Sequence, residues 1–182
     1  EYSWTSYWQS ELEFHVSDKD GTPLDWEKTE FQNQLQIFDY ENFSGALYFS
    51  YNFVSQKDNP DEIEYKYLNE FNNERYSLIT NFIFEKGVGT QGSGSTTFDL
   101  SNQLMIKDFY LQGFNFGVFG FSEFGNVSDF KTVNQQEHLY GFQLETEFDF
   151  VNYEYEISIG YLKGLTYSSS DHIFVWNMEL EF

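Results

Sequence analysis

A two-residue rhythm of apolar and polar side chains restricts this chain more than any other feature. Phe142, Leu144, Phe148 and Phe150 alternate with Gln143, Glu145, Glu147 and Asp149. Phe174, Trp176, Met178 and Leu180 alternate with Asn177, Glu179 and Glu181, and 153–161 sets Tyr, Tyr, Ile, Ile and Tyr against Glu154, Glu156, Ser158 and Gly160. Successive side chains of a strand point to opposite faces, so this rhythm predicts strands with one apolar and one polar face. The stretch 2–16 carries it too, with Tyr2, Trp4, Trp8, Leu12, Phe14 and Val16 on one side, and reads as one long strand. Weaker versions at 31–37, 47–53, 63–71, 76–84 and 98–106 read as further strands. The stretch 109–124 changes phase around Gly113, Gly117 and Gly120; glycine inside a strand often marks a bulge, so it reads as one kinked strand.

Composition points the same way. Aromatic residues suit a pleated strand and alanine suits a helix, and the chain has 22 Phe, 14 Tyr and 4 Trp against the single Ala46. That aromatic content argues against disorder despite the charge. The net charge is −21, from 30 acids and nine bases, with Arg75 the one arginine. No basic stripe exists, which excludes nucleic acid as a partner. There is no cysteine, hence no disulfide framework or thiol chemistry. The longest apolar runs, 46–49 and 173–176, have four residues, far below the ~20 of a membrane helix. The chain opens at Glu1 with no Met and no basic-then-apolar segment, so it reads as processed or truncated.

The connections alternate in length. Tight turns are expected at Asn72-Asn73, Lys107-Asp108 and Val151-Asn152, and long polar loops at 56–61, 87–95, 126–136 and 166–171. Short turns on one side and longer loops on the other are the pattern of a transmembrane barrel. Strands of 9–16 residues exceed the ~5–6 usual in globular sheets. Acids and amides in mid-strand suit a wet interior better than a second packed core. The expected fold is therefore an all-β, antiparallel transmembrane β-barrel of about ten strands, or the C-terminal strands of a larger one, forming a single domain over 1–182.

The last strand, with Phe174, Trp176, Met178, Leu180 and Phe182 on one side, resembles the C-terminal assembly signal of bacterial outer-membrane proteins, which end in an aromatic residue. The resemblance implies recognition by the barrel-assembly machinery with Phe182 as anchor, and a place in the outer membrane among its lipid and lipopolysaccharide. A looser resemblance links 121–127, 139–144 and 160–165 to the C-terminal end of surface-antigen barrels. The Arg-Gly-aromatic motif and the upstream repeat domains of that family are absent from this sequence, which argues against an insertase role and leaves room for an upstream part of the same barrel or a partner subunit.

The polar side would be acidic, with Glu11, Glu13, Glu64, Glu70, Asp99, Glu145, Glu147, Glu156 and Glu179 facing a lumen and Lys28, Lys66, Arg75, Lys107 and Lys163 as their candidate partners. Any water path lined this way favours cations. His15, His138 and His172 are expected near the long-loop ends of strands, where a rim enzyme would place a catalytic histidine, but such polar residues are ordinary there and no enzyme is expected. Asp18-Lys19-Asp20-Gly21 and 58–62 crowd oxygen ligands without the spacing of a calcium loop and read as turns, and the glycine-rich 87–95 lacks the lysine of a phosphate loop, so neither metal nor cofactor is expected. The expected role is a transport, export or pore component. The alternatives are a non-conducting anchor or adhesion barrel acting through its outer loops and, below these, a rim enzyme that modifies lipid or cleaves protein.

Overall fold

The computed structural model describes residues 1–17, 25–55, 58–92, 94–150 and 153–181, with the backbone alone at 17, 149–150, 153–154 and 180–181. The chain folds into one antiparallel sheet in sequence order. Ten long strands make it up: β2 (Trp8–Ser17), β3 (Asp25–Tyr40), β4 (Phe43–Val54), β5 (Asp61–Asn72), β6 (Tyr76–Val88), β7 (Thr96–Ile106), β8 (Phe114–Asn126), β10 (Glu137–Phe150), β11 (Tyr153–Gly164) and β12 (His172–Glu181). Two short strands, β1 (Tyr2–Thr5) and β9 (Asp129–Phe130), pair with β2 and β8. Among the described residues the one helical turn is a 3-10 segment, Val133–Gln135, and no described helix is long and apolar enough to cross a membrane.

Two expectations are corrected. Residues 2–16 are not one strand: the chain turns at Ser6-Tyr7, and β1 folds back so that Ser3 faces Gln9 and Tyr2 faces Ser10. Nor is 109–124 one kinked strand after a two-residue turn. Residues 107–113 form the connection, with left-handed φ at Asp108, Tyr110 and Gly113, and β8 begins at Phe114. The break in the β7–β8 register lies later, between Phe98 and Asp99, beside the left-handed Gly125. The expected turn at 151–152, the motif at 18–21 and part of the loop at 56–61 lie outside the described residues.

Cross-strand register assigns the paired strand residues to two faces. On one face run Glu11, Glu13 and His15; Glu30, Gln32, Gln34 and Gln36; Ser50 and Asn52; Glu64 and Lys66; Asn81; Asp99 and Gln103; then Gln143, Glu145 and Glu147. On the other run Leu12 and Phe14, Phe31 and Leu35, Leu47 and Phe49, Tyr65 and Tyr67, Phe82, Leu104, Val118, Phe142, Leu144 and Ile159. The apolar face is the exposed one. Leu47 is 49% exposed, Leu144 42%, Val118 52% and Phe174 82%. The polar face is the sheltered one, with Glu30, Ser50 and Asn52 among its buried members.

The sheet is rolled about its polar face. Ser3 on β1 and Asn81 on β6 line one cavity, although five strand spacings of ~4.8 Å would separate them by ~24 Å in a flat sheet. The expected closure is not reached: no ladder joins β12 to β1 or β2 among the described residues, and both are edge strands.

The apolar face is banded. Leu47, Val118, Leu144 and Ile159 hold mid-strand positions, while Phe43 and Phe53 in β4, Phe114 and Phe124 in β8, and Tyr155 and Tyr161 in β11 hold the ends. Ring contacts carry the bands across strands. Phe98 stacks on Phe124 at 5.2 Å near the long loops, and Phe148 on Tyr155 at 5.3 Å near the short turns. Polar residues on this face find internal partners: Asn69 donates to the Thr80 carbonyl at 3.4 Å, and the Tyr140 hydroxyl lies 3.1 Å from Ser122 and 3.5 Å from Asn102 Nδ2.

Candidate functional site: the acidic concave face

All nine acids expected together, Glu11, Glu13, Glu64, Glu70, Asp99, Glu145, Glu147, Glu156 and Glu179, occupy the polar face. Register then adds what parity alone leaves open, namely which acids are neighbours. Glu147 faces Glu156, which faces Glu179, across β10 to β12. Asp99 faces Glu123, which faces Glu137, across β7, β8 and β10. Glu64 faces Glu85. Like charges directly opposite one another destabilise a sheet, so these rows give the face a strong preference for cations at a cost in stability.

The bases are divided. Lys66 lies on the polar face, 2.9 Å from Glu64 Oε1 and over the Tyr48 ring at 4.5 Å. Lys28 donates to Glu30 Oε2 at 3.1 Å and to Asn52 Oδ1 at 3.2 Å. Arg75 and Lys107 sit in adjacent short connections, where Lys107 donates to Asn72. Lys163, expected to balance interior acids, faces Tyr140 and His172 on the apolar side instead, because Leu162 and Gly164 take the inward positions of β11.

The densest polar cluster lies near the long-loop end of β2 to β4. Tyr48 donates to Glu30 Oε1 at 2.9 Å, which with Lys28 occupies both carboxylate oxygens of a residue only 7% exposed. His15 Nε2, shielded from solvent, stands 3.2 Å from Glu13 Oε2 and 3.6 Å from Glu30 Oε2 and makes a hydrogen bond to neither. These three ligand atoms lie within 4.8 Å of one another, a donor set that suits a divalent cation. The Lys28 ammonium on Glu30 opposes a second positive charge there, and the same geometry serves a protonated His15 equally well. Sequence reading placed Glu13 and His15 but missed Glu30, which falls one residue before the segment 31–37 and comes beside them only through register.

The three histidines all lie at long-loop strand ends, yet the fold does not assemble them. His15 is on the polar face, whereas His138 and His172 are on the other. His138 Nε2 meets Gln136 Oε1 at 2.9 Å, and His172 Nδ1 meets the Tyr161 hydroxyl at 2.6 Å. Thr166 and Ser169 tie the last loop down, through Thr166 Oγ1 to the Gln136 carbonyl and Ser169 Oγ to the His138 carbonyl.

The long-loop end of the polar face is not polar throughout. Phe119, Leu139 and Leu162 pack into a small buried core with Ile173 beside them, all pointing inward. Apart from Glu137, the described carboxylates of β10 to β12 therefore lie nearer the short turns, with this apolar cluster nearer the loops. Of the C-terminal pattern, Phe174, Trp176 and Met178 stand on the exposed face of β12; the Leu180 side chain and Phe182 lie outside the described residues. No family model matches the chain, and no curated protein or solved structure matches it.

Proposed function

We propose that the chain forms a transmembrane β-barrel of a bacterial outer membrane and serves there as a transport or pore component with a cation-favouring acidic interior. The observation that carries this reading is the inverted exposure of the sheet. Water-soluble folds bury their apolar face, because burial contributes about 25 cal/mol per Å². This sheet rolls the other way, sheltering glutamates and glutamines and displaying leucines flanked by aromatic bands. A contiguous apolar surface of that extent requires a covering, and hydrocarbon is the one solvent that suits all strands at once. Closure follows from the same physics: an open edge leaves backbone amides and carbonyls unpaired, which hydrocarbon does not tolerate. Lipid and lipopolysaccharide are then the surrounding medium, and the assembly machinery the expected route of entry.

The inward cluster of Phe119, Leu139 and Leu162 favours a second reading, a barrel plugged by side chains that acts as an anchor or through its loops. Planar-bilayer recording of the chain refolded in lipid separates the two. Cation-selective steps whose selectivity falls in Glu147→Lys support transport; a folded, silent barrel supports the anchor. A monodisperse, folded monomer in water without detergent overturns both.

A further inference from the structure

The β1–β2 turn and the short-turn ends of β2 to β6 border an open cavity of about 480 Å³ on the polar face. Its lining is rich in amides: Gln9 from β2, Gln34 and Gln36 from β3, and Asn81 from β6. The side-chain amides of the three glutamines have no hydrogen-bond partner among the described residues. Asn81 Oδ1 is shielded from solvent and also unpaired. A sheltered polar atom without a partner costs about 1–3 kcal/mol in a folded protein, so Asn81 Oδ1, set among amides free to pair, points to something that completes its bond.

The chemistry of that ligand follows from the lining. Primary amides donate and accept in equal measure, so they match groups that do both. Among the described residues no Lys, Arg or His lines the cavity, and the one carboxylate, Glu70, repels anions. A free cation would be drawn to the paired carboxylates of β10 to β12 in preference to a wall of neutral amides. Leu68, on the same wall, offers an apolar patch. A sugar has hydroxyls that donate and accept, no charge, and C–H faces that pack on aliphatic side chains. The volume lies within the ~300–1,000 Å³ of small-molecule sites. We propose that this cavity binds a neutral mono- or disaccharide.

The proposal rests on the polar face being the interior of a rolled sheet, and it names a substrate class for the transport reading. The test is calorimetry on the full chain refolded in detergent, titrated with glucose, galactose and maltose, and separately with gluconate, glucosamine and N-acetylglycinamide. Folding is checked in the same sample by circular dichroism and heat-dependent electrophoretic mobility. Saturable binding of at least one neutral sugar is expected, at least about tenfold tighter than either charged analogue and tighter than the amide. Asn81→Leu, and independently Gln34→Leu, should weaken it by about tenfold or more, the loss of one well-made hydrogen bond, whereas Lys163→Gln, on the opposite face of the sheet, should leave it unchanged. A folded barrel that binds none of the three sugars, or binds them equally after both leucine substitutions, overturns the site and leaves the barrel reading intact. Tighter binding of the amide or of a charged analogue overturns the sugar assignment. A chain that does not fold in detergent overturns the barrel reading and the site with it.

Discussion

Leu47→Lys distinguishes a membrane sheet from a soluble one, because the two readings assign it different costs. Leu47 lies on the apolar face of β4, four residues from Phe43 and six from Phe53. At ~3.3 Å per residue and a strand tilt of ~40°, those rings stand ~10 Å and ~15 Å from it along the membrane normal. Their sum, ~25 Å, equals the height of a barrel's apolar band, which sets Leu47 within a few ångströms of the midplane. A lysine there should cost ~2–4 kcal/mol, a roughly 30- to 700-fold loss in the folding equilibrium. In a soluble protein a leucine 49% exposed is a surface residue, and the same change stays within about 0.5 kcal/mol. The assay is reversible guanidinium unfolding in phospholipid vesicles, followed by tryptophan fluorescence. Glu147→Lys is the control: it replaces one of three carboxylates in a row and should be neutral or slightly stabilising. A cost for Leu47→Lys below 1 kcal/mol, or one no larger than the control, refutes the assignment of this face to lipid.

Two further outcomes follow from particular contacts. A Cβ at Gly120 would meet the Leu139 carbonyl oxygen at 2.6 Å and the Tyr140 ring, so Gly120→Ala should cost about 1–3 kcal/mol in the same unfolding assay, and an unchanged midpoint would show that Tyr140 does not lie over this glycine. If the sheet closes in lipid, the β12 amides that β11 does not engage should exchange with deuterium as slowly as those of β5, whereas exchange within seconds would mean that the edge stays open.

The parts of the fold that could be read from the chain are those governed by parity. Alternation persists as long as a strand does, so the two faces of β10, β11 and β12 follow directly from residue types, and the nine acids share a face because each has the correct parity within its own strand. Parity fails where the backbone changes direction without disturbing the pattern. Ser6-Tyr7 turns the chain while Trp4 and Trp8 keep the two-residue beat, so β1 and β2 look continuous in sequence. Phe109, Tyr110 and Leu111 are as apolar as any strand, and only the left-handed backbone at Asp108 and Tyr110 shows that they form a connection. Lys163, expected to balance interior acids, faces the other way because Leu162 is the residue that points inward in β11.

Register and curvature are the properties that alternation does not contain, and the candidate site depends on both. Glu13 and Glu30 are 17 positions apart in sequence and become neighbours only once β2 and β3 are aligned. Which face turns inward is likewise a matter of curvature. A sheet with the same two faces rolled in the opposite sense would be an ordinary soluble barrel around a Phe-rich core, and its surface acids would be separated by solvent. Rolled as it is, the sheet keeps the rows Glu147–Glu156–Glu179 and Asp99–Glu123–Glu137 on its sheltered side, the first near the short turns and the second near the long loops. Among the described strand residues, Lys28 and Lys66 are the bases on that face, at the opposite side of the sheet beside Glu30 and Glu64, and the loop residue Lys131 acts on Asp99. Stability alone would select against carboxylates left opposite one another when a single base in each row would relieve them. On the proposed transport reading their charge serves what passes through or binds at this interior, and not what holds the sheet together.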